Sequence, residues 1–151
     1  NDPEPVEPIP GILAGLGLEK PLGFQYSPSN QKLVVEVEDE AAVRAVSPDF
    51  RGLLSVENTL GWRGVVVTSR SRDHDFVSRY FAPWMGVDED PVTGSAHTVL
   101  APYWAAKLGR TSLRAYQASR RGGSLRLELG ERVKMVGGCV TVVRGCLDLS
   151  P

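Results

Sequence analysis

Cysteine is scarce in this chain of 151 residues, which contains only Cys139 and Cys146. Their spacing is not the CxxC of a zinc site or of a thioredoxin-type redox site, so neither kind of site is indicated. Both residues lie in an apolar, strand-like stretch, and free cysteines are usually buried. We therefore expect two buried free thiols. The low cysteine usage and the absence of a signal-like segment predict a soluble cytoplasmic protein.

Neither sign of charge predominates, because 17 basic and 18 acidic residues are interspersed and give a formal net charge of -1. Without a basic field, nucleic acid and anionic membranes are not expected partners, and no apolar run is long enough to span a bilayer. Small molecules or proteins are the expected partners. The chain opens on Asn1 and a proline-rich run, so we expect a further segment upstream. Residues 1–20 are predicted as a linker and residues 21–151 as one domain.

The apolar patterns predict about nine short strands and one long helix. The strands are predicted over residues 22–27, 32–38, 53–58, 62–70, 75–83, 113–119, 124–130, 132–137 and 139–145. Short helices are predicted over about 10–18 and 39–46.

The long helix, residues 94–108, is apolar nearly all round and ends before Gly109, which suits a C-cap. A helix without a polar face needs burial on every side. Pro102 inside it predicts a kink or a restart. These features favour an α+β fold in which a β-barrel-like sheet wraps around one central apolar helix and leaves no exposed sheet edge.

The start of this helix, DPVTGSAH at residues 90–97, is the segment with the clearest chemical content. Thr93 or Gly94 suits the N-cap. The amides around Ser95 and Ala96 are then free donors at the positive end of the helix dipole. Such a helix start predicts a site for a carboxylate or another anion.

Three titratable or hydroxyl side chains accompany that helix start. Asp90 is placed to hold or relay a proton, Ser95 offers a hydroxyl, and His97 offers a titratable ring. The same residues also form an ordinary helix start, and a histidine on an apolar helix is often a hydrogen-bonded core residue. Local chemistry alone leaves both interpretations open. A P-loop is not indicated, because the glycine spacing and the lysine are absent.

Four spaced blocks together resemble the C-terminal half of the phenazine biosynthesis-like (PhzF) family. The blocks are RYFAP at 79–83, EDPVTGSAH at 89–97, LAPYW at 100–104 and QASRRGG at 117–123. Several blocks in the right order are more specific than any single motif.

The resemblance implies a diaminopimelate-epimerase-like fold, in which two similar domains each wrap a sheet around a helix and enclose the active site between them. It also implies a cofactor-independent isomerase that moves a proton on a small carboxylic acid, anthranilate-like or amino-acid-like. Asp90 and Ser95 match the aspartate and serine that assist this transfer in the family. No cysteine lies at the helix start, which argues against cysteine-based racemisation. No cofactor and no metal are expected.

The resemblance places further residues at the cleft. Arg121 suits a substrate carboxylate, because a guanidinium group binds that anion in a bidentate manner. A hairpin turn with a solvated arginine remains the alternative. The predicted substrate-binding residues are Thr93, Gly94, Ala96, His97, Gln117, Arg121 and Gly122.

The family's N-terminal half, with its catalytic glutamate, is not present in these residues. That half is therefore the expected partner, a homodimer is a further expectation, and this chain alone should be inactive, because acid-base work needs both groups across one cleft. An exposed apolar cleft wall is expected. The alternative function is a non-enzymatic protein-interaction or ligand-binding module.

Overall fold

Nine strands form one mixed sheet in the computed structural model, which describes residues 3–147. The strands are β1 Glu4–Pro5, β2 Gly23–Ser27, β3 Lys32–Glu36, β4 Gly64–Arg70, β5 Phe76–Ala82, β6 Val87–Glu89, β7 Ser112–Gln117, β8 Gly123–Glu128 and β9 Lys134–Gly137. The helices are α1 Pro10–Leu16, α2 Glu40–Ala45, α3 Phe50–Ser55 and α4 Gly94–Leu108. The predicted α+β class is confirmed.

The sheet order is β1-β2-β3-β4-β5-β7-β8-β9, and β6 pairs with the end of β5. The β3–β4 and β5–β7 pairs are parallel, whereas the other pairs are antiparallel. Parallel neighbours need a crossover connection. The first crossover contains α2 and α3, and the second contains α4.

The central strands are apolar on both faces because both faces are covered. In β4, Val65 and Val67 belong to a core cluster that includes Ile12 of α1 and Leu53 of α3. Val66, between them, belongs to a second cluster with the apolar residues of α4. Alternate side chains of a strand point to opposite faces, so the helices pack against the two sides of the sheet.

The expected closure of the sheet is wrong, and the wrapping of the sheet around the central helix is not confirmed. The sheet does not close into a barrel, since β1 and β9 are its two ends. Burial of α4 is also incomplete, because Gly94 and Ser95 at its start and Ala106 and Lys107 at its end are exposed. Residues of one sheet face pack against α4, and residues of the other face pack against α1 and α3. α4 runs through Pro102 without a break.

The strand predicted over residues 53–58 is wrong, because α3 occupies Phe50–Ser55. The Asp49 side chain accepts hydrogen bonds from the Arg51 and Gly52 amides, both at 3.1 Å. This N-cap satisfies donors that a helix start otherwise leaves free. The cap outweighs the β-like pattern that follows it.

The strand predicted over residues 139–145 is also wrong, since this segment has no regular structure. Val140, Val142 and Val143 are at least 80% exposed. Cys139 and Cys146 are free and exposed, so the expected burial of both thiols is wrong as well. The segment pairs with no strand of the described region, and its side chains therefore face solvent.

Most other elements agree with the predictions. The hairpin β2–β3, α1, α2 and strands β4, β5, β7, β8 and β9 lie where the patterns predict them, and the bounds of α4 match. α1 contributes Ile12, Leu13 and Leu16 to the core. The division of the chain at residue 20 stays a prediction.

Candidate active site

The candidate site is the start of α4, where Thr93 is the N-cap residue. The preceding loop is tied to the sheet, because the Asp90 amide donates to the Tyr80 carbonyl across 3.1 Å. Gly94 and Ser95 are exposed, whereas Thr93 is buried. Amides of a first helical turn have no acceptor within the helix, so this exposed turn presents donors at the positive end of the helix dipole.

Gln117, at the end of β7, is fully buried and holds the loop that precedes α4 in place. Its Oε1 accepts a hydrogen bond from the Thr93 amide across 2.8 Å. Its Nε2 donates to the Asp90 carbonyl at 2.6 Å and to the Thr93 hydroxyl at 3.2 Å. One neutral side chain thus satisfies polar groups on both sides of the turn and holds them in one arrangement.

The Asp90 carboxylate belongs to the same network. The Thr93 hydroxyl donates to Asp90 Oδ2 across 2.5 Å. The Thr93 side chain consequently makes no capping bond to α4, although the predicted N-cap position is confirmed. Asp90 is half-buried beside the helix start. Its other oxygen, Oδ1, accepts no hydrogen bond within residues 3–147.

A buried phenol lies close to this carboxylate. Burial raises the pKa of Tyr80, and the charge of Asp90 raises that pKa further, while Arg63 acts in the opposite direction. The phenol therefore keeps its proton at neutral pH. Tyr80 is 7% exposed, with the Lys32 ammonium 5.3 Å from its ring centroid.

The turn between β7 and β8 packs directly on the DPVTGS loop. The Ser119 hydroxyl donates to the Pro91 carbonyl across 2.7 Å and accepts from the Gly122 amide across 3.0 Å. Gly122 has φ of 71°, a conformation that favours glycine. A Cβ on Gly123 would lie 2.5 Å from Val92 Cγ2, so only glycine permits this approach.

Arg121 lies at the edge of the site. It is exposed and lines a shallow depression of about 340 Å³ together with Arg120, Ser119, Pro91 and Glu89. Arg79 donates two hydrogen bonds to the Glu89 carboxylate, at 2.7 and 3.0 Å. Arg121 therefore lies beside the loop, and its role as a cleft residue stays a prediction.

Four predicted binding residues are buried beneath the surface. Thr93, Ala96, His97 and Gln117 are 7%, 1%, 0% and 0% exposed. His97 Nδ1 lies 2.8 Å from the Thr93 carbonyl, and its ring stacks on Phe76 at a centroid distance of 6.0 Å. Burial lowers the pKa of His97. These side chains support the helix start from the core.

Two residues of the network were not predicted from the sequence. Ser119 joins the hairpin turn to the loop, and Tyr80 receives the Asp90 amide and lies near its carboxylate. Ser119 stands inside the QASRRGG block, two positions after Gln117, which was its only signal. In the sequence, Tyr80 looks like any aromatic residue of a strand, so nothing there indicated its place in the network.

Within residues 3–147, no group of three or more His, Cys, Asp and Glu side chains is placed to hold a metal ion. Among the helices of the same residues, none combines the length and the apolar character needed to cross a bilayer.

Comparisons with known proteins point to one family. The family model described as phenazine biosynthesis-like protein matches residues 13–145. An uncharacterized isomerase of Pseudomonas aeruginosa is 57% identical over 124 residues, which are 81% of this chain and 46% of that protein. A human phenazine biosynthesis-like domain-containing protein is 43% identical over 133 residues, again 81% of this chain and 46% of the relative.

Solved structures agree with these relatives. A PhzF family protein from Enterococcus faecalis has a TM-score of 0.81 and 39% identity, covering 90% of this chain and 50% of that one. A Clostridium difficile protein described as a putative phenazine biosynthesis PhzC/PhzF protein has a TM-score of 0.82 and 33% identity, covering 99% and 55%. The chain thus spans about half the length of the relatives it matches.

Proposed function

Because the chain belongs to the phenazine biosynthesis-like family, we propose that it forms one side of the active site of a cofactor-independent isomerase. The substrate is a small carboxylic acid, anthranilate-like or amino-acid-like, and the reaction moves a proton between two of its atoms. The observation that carries the proposal is the network of Asp90, Thr93 and Gln117. It holds a carboxylate and an exposed helix start on one small surface.

The helix start supplies the binding step. The amides of Gly94 and Ser95 point away from any helical acceptor, and both residues are exposed. A substrate carboxylate placed there receives two N–H donors and the favourable end of the helix dipole. Arg121 at the edge of the loop supplies a second, charged contact.

Asp90 and Ser95 supply the assisting groups for proton transfer. A base removes a proton from a substrate carbon, and the electron pair shifts along the conjugated system until a second position is protonated. No atom or electron is gained overall. Asp90 shuttles the proton through its free carboxylate oxygen, and the Ser95 hydroxyl donates a hydrogen bond to the charge that develops.

The principal base comes from polypeptide outside these residues. In this proposal it is a glutamate of the family's N-terminal half, facing Asp90 across an inter-domain cleft. In the same proposal, the protein is active only when both halves are present. It is located in the cytoplasm and forms a homodimer. The family relatives support it, since they are about twice as long as this chain.

Removing one amide tests the binding step without removing a side chain. Gly94→Pro deletes the first N–H of α4, and proline is well tolerated at the first helical position. Thr93 already has the extended conformation that a following proline requires, with φ of -108° and ψ of 104°. We expect anthranilate to bind at least about fivefold more weakly, roughly the loss of one charge-assisted hydrogen bond.

Gly94→Ala is the matched control, because it keeps the N–H and its Cβ meets only Met135 Cε at an ordinary 3.7 Å. Binding followed by NMR chemical shifts of the Ser95 and Ala96 amides should be unchanged in this variant. Equal affinity in both variants would reject the helix start as the carboxylate site. Protein binding that survives Asp90→Asn, without anthranilate binding, would favour the non-enzymatic module.

A further inference from the structure

On the face of β7 and β8 opposite to α4, two arginines stand side by side. Arg114 and Arg126 are directly paired in the antiparallel register, and both are exposed. Side chains at paired positions lie on the same face and close together, so two like charges there repel each other. On the other side of Arg126, the residue paired with it is Val136 of β9, which carries no compensating charge.

The Asp75 carboxylate, which contacts the backbone of Arg114, already has two donors. One oxygen of Asp75 accepts a bond from the Arg110 side chain at 2.6 Å, and the other accepts from the Arg114 backbone amide at 2.6 Å. Glu128, two residues after Arg126 in β8, pairs in register with Lys134 of β9. Within residues 3–147 neither Arg114 nor Arg126 forms a salt bridge.

A histidine and a serine complete the surroundings of the pair. His74 Nε2 lies 3.3 Å from Ser124 Oγ. The ring is held in place, because it stacks on Tyr116 at 5.3 Å and its backbone amide lies 3.3 Å from the Ser71 hydroxyl. The imidazole is therefore oriented before any ligand arrives.

These side chains surround an open hollow of about 350 Å³. It is lined by His74, Arg114, Ser124 and Arg126, with Leu125 and Val136 beside them, and no acidic residue lines it. We call the four polar residues the outer β7–β8 site. Two guanidinium groups, a hydroxyl and an imidazole converge there without a counter-charge.

We infer that the outer β7–β8 site binds the phosphate group of a small phosphomonoester. One guanidinium already satisfies both oxygens of a carboxylate, whereas a phosphate offers three oxygens and nearly two negative charges. The larger anion therefore matches two arginines better. Val136, which pairs with Arg126 on the same face and is half-exposed, provides apolar contact for the organic part of the ester.

The outer site lies on the other face of the strands that carry the candidate active site. Gln117 is directed inward to Thr93, while its neighbour Tyr116 contacts His74. Ser124 follows Gly123, which approaches the DPVTGS loop. The two sites share a hairpin but no side chain, so each is tested separately.

NMR titration in phosphate-free buffer at constant ionic strength tests the inference. Phenyl phosphate should produce saturable shifts of the His74, Ser124 and Arg126 amides, inorganic phosphate should bind more weakly, and benzoate weaker still. Arg126→Gln should weaken phenyl phosphate binding at least about tenfold, the loss expected for a charge-assisted pair. Arg51→Gln, at an exposed arginine on α3, and Gly94→Pro, at the start of α4, should leave it unchanged.

Folding does not confound this test, since removing one of two repelling charges should leave the thermal unfolding temperature equal or higher. Shifts without saturation, or an equal loss in Arg126→Gln and Arg51→Gln, would overturn the site. Binding of inorganic phosphate that is as tight as that of phenyl phosphate would overturn the ester assignment. Loss of binding in Gly94→Pro would show that the ligand occupies the start of α4 instead.

Discussion

The Gln117 side chain connects the sheet to both sides of the DPVTGS turn. Its replacement by the similarly sized methionine leaves the Thr93 amide and the Asp90 carbonyl without their partners. Each unpaired buried group costs about 1–3 kcal/mol, so Gln117→Met should lower the free energy of unfolding by about 2–4 kcal/mol. Urea denaturation measures the change.

Gln25→Met is the matched control, because Gln25 is also in a strand and its buried Oε1 has no partner within the described residues. Its replacement should cost less than about 1 kcal/mol. Equal losses in the two variants would contradict the role given to the Gln117 bonds.

His97 makes the stability of the protein depend on pH. Burial lowers the pKa of His97, so the folded protein resists a proton that the unfolded chain accepts near pH 6.5. The stabilisation is present above about pH 6.5 and is lost as the pH falls below it. The wild type should therefore unfold at lower urea concentration at about pH 5 than at about pH 7.5.

His97→Asn retains a donor for the Thr93 carbonyl but cannot take up the proton, so its unfolding midpoint should change less over this range. A His97→Asn variant with the full wild-type dependence would assign the effect to other groups.

At the scale of elements, contact between the β7–β8 turn and the α4 loop depends on Gly123. A methyl group there would meet Val92 Cγ2 at 2.5 Å, so Gly123→Ala must displace one of the two segments. Such overpacking costs about 1–3 kcal/mol. The double variant Gly123→Ala with Val92→Ala removes the clash and should recover most of the loss.

Gly137→Ala provides the comparison, because its Cβ would meet nothing within 4 Å. Thermal unfolding should show a change of no more than about 0.5 kcal/mol for that variant. If Val92→Ala fails to restore stability to Gly123→Ala, the close approach is not the cause of the loss.

Element predictions succeeded where a pattern and its end signals agreed. α4 has an N-cap threonine, a continuous apolar run and Gly109 at its end, and its bounds match the prediction. α3 was not predicted, because residues 53–58 have a β-like pattern, and its start is marked only by the Asp49 N-cap. The segment 139–145 alternates like a strand, but a strand also requires a neighbour to pair with, which local sequence does not reveal.

At the scale of the whole molecule, the fold class followed from local patterns but the layer arrangement did not. An apolar helix among many strands is compatible with a wrapped barrel and with an open sheet covered on both faces. The difference depends on two parallel crossovers, a long-range feature. For the site, the motif indicated Asp90, Ser95 and the helix start, while the links through Tyr80 and Ser119 required the tertiary structure.

The most direct test of the account follows solvent deuterium into a dihydro-hydroxyanthranilate substrate, using the protein together with the N-terminal half of the fold. Asp90→Asn and Ser95→Ala should each reduce the exchange rate at least about a hundredfold, the usual contribution of positioned acid-base and hydrogen-bonding groups. Asp88→Asn, an exposed neighbour in β6, should exchange at the wild-type rate. Wild-type exchange in Asp90→Asn and Ser95→Ala would contradict the assignment of the α4 start as a catalytic site.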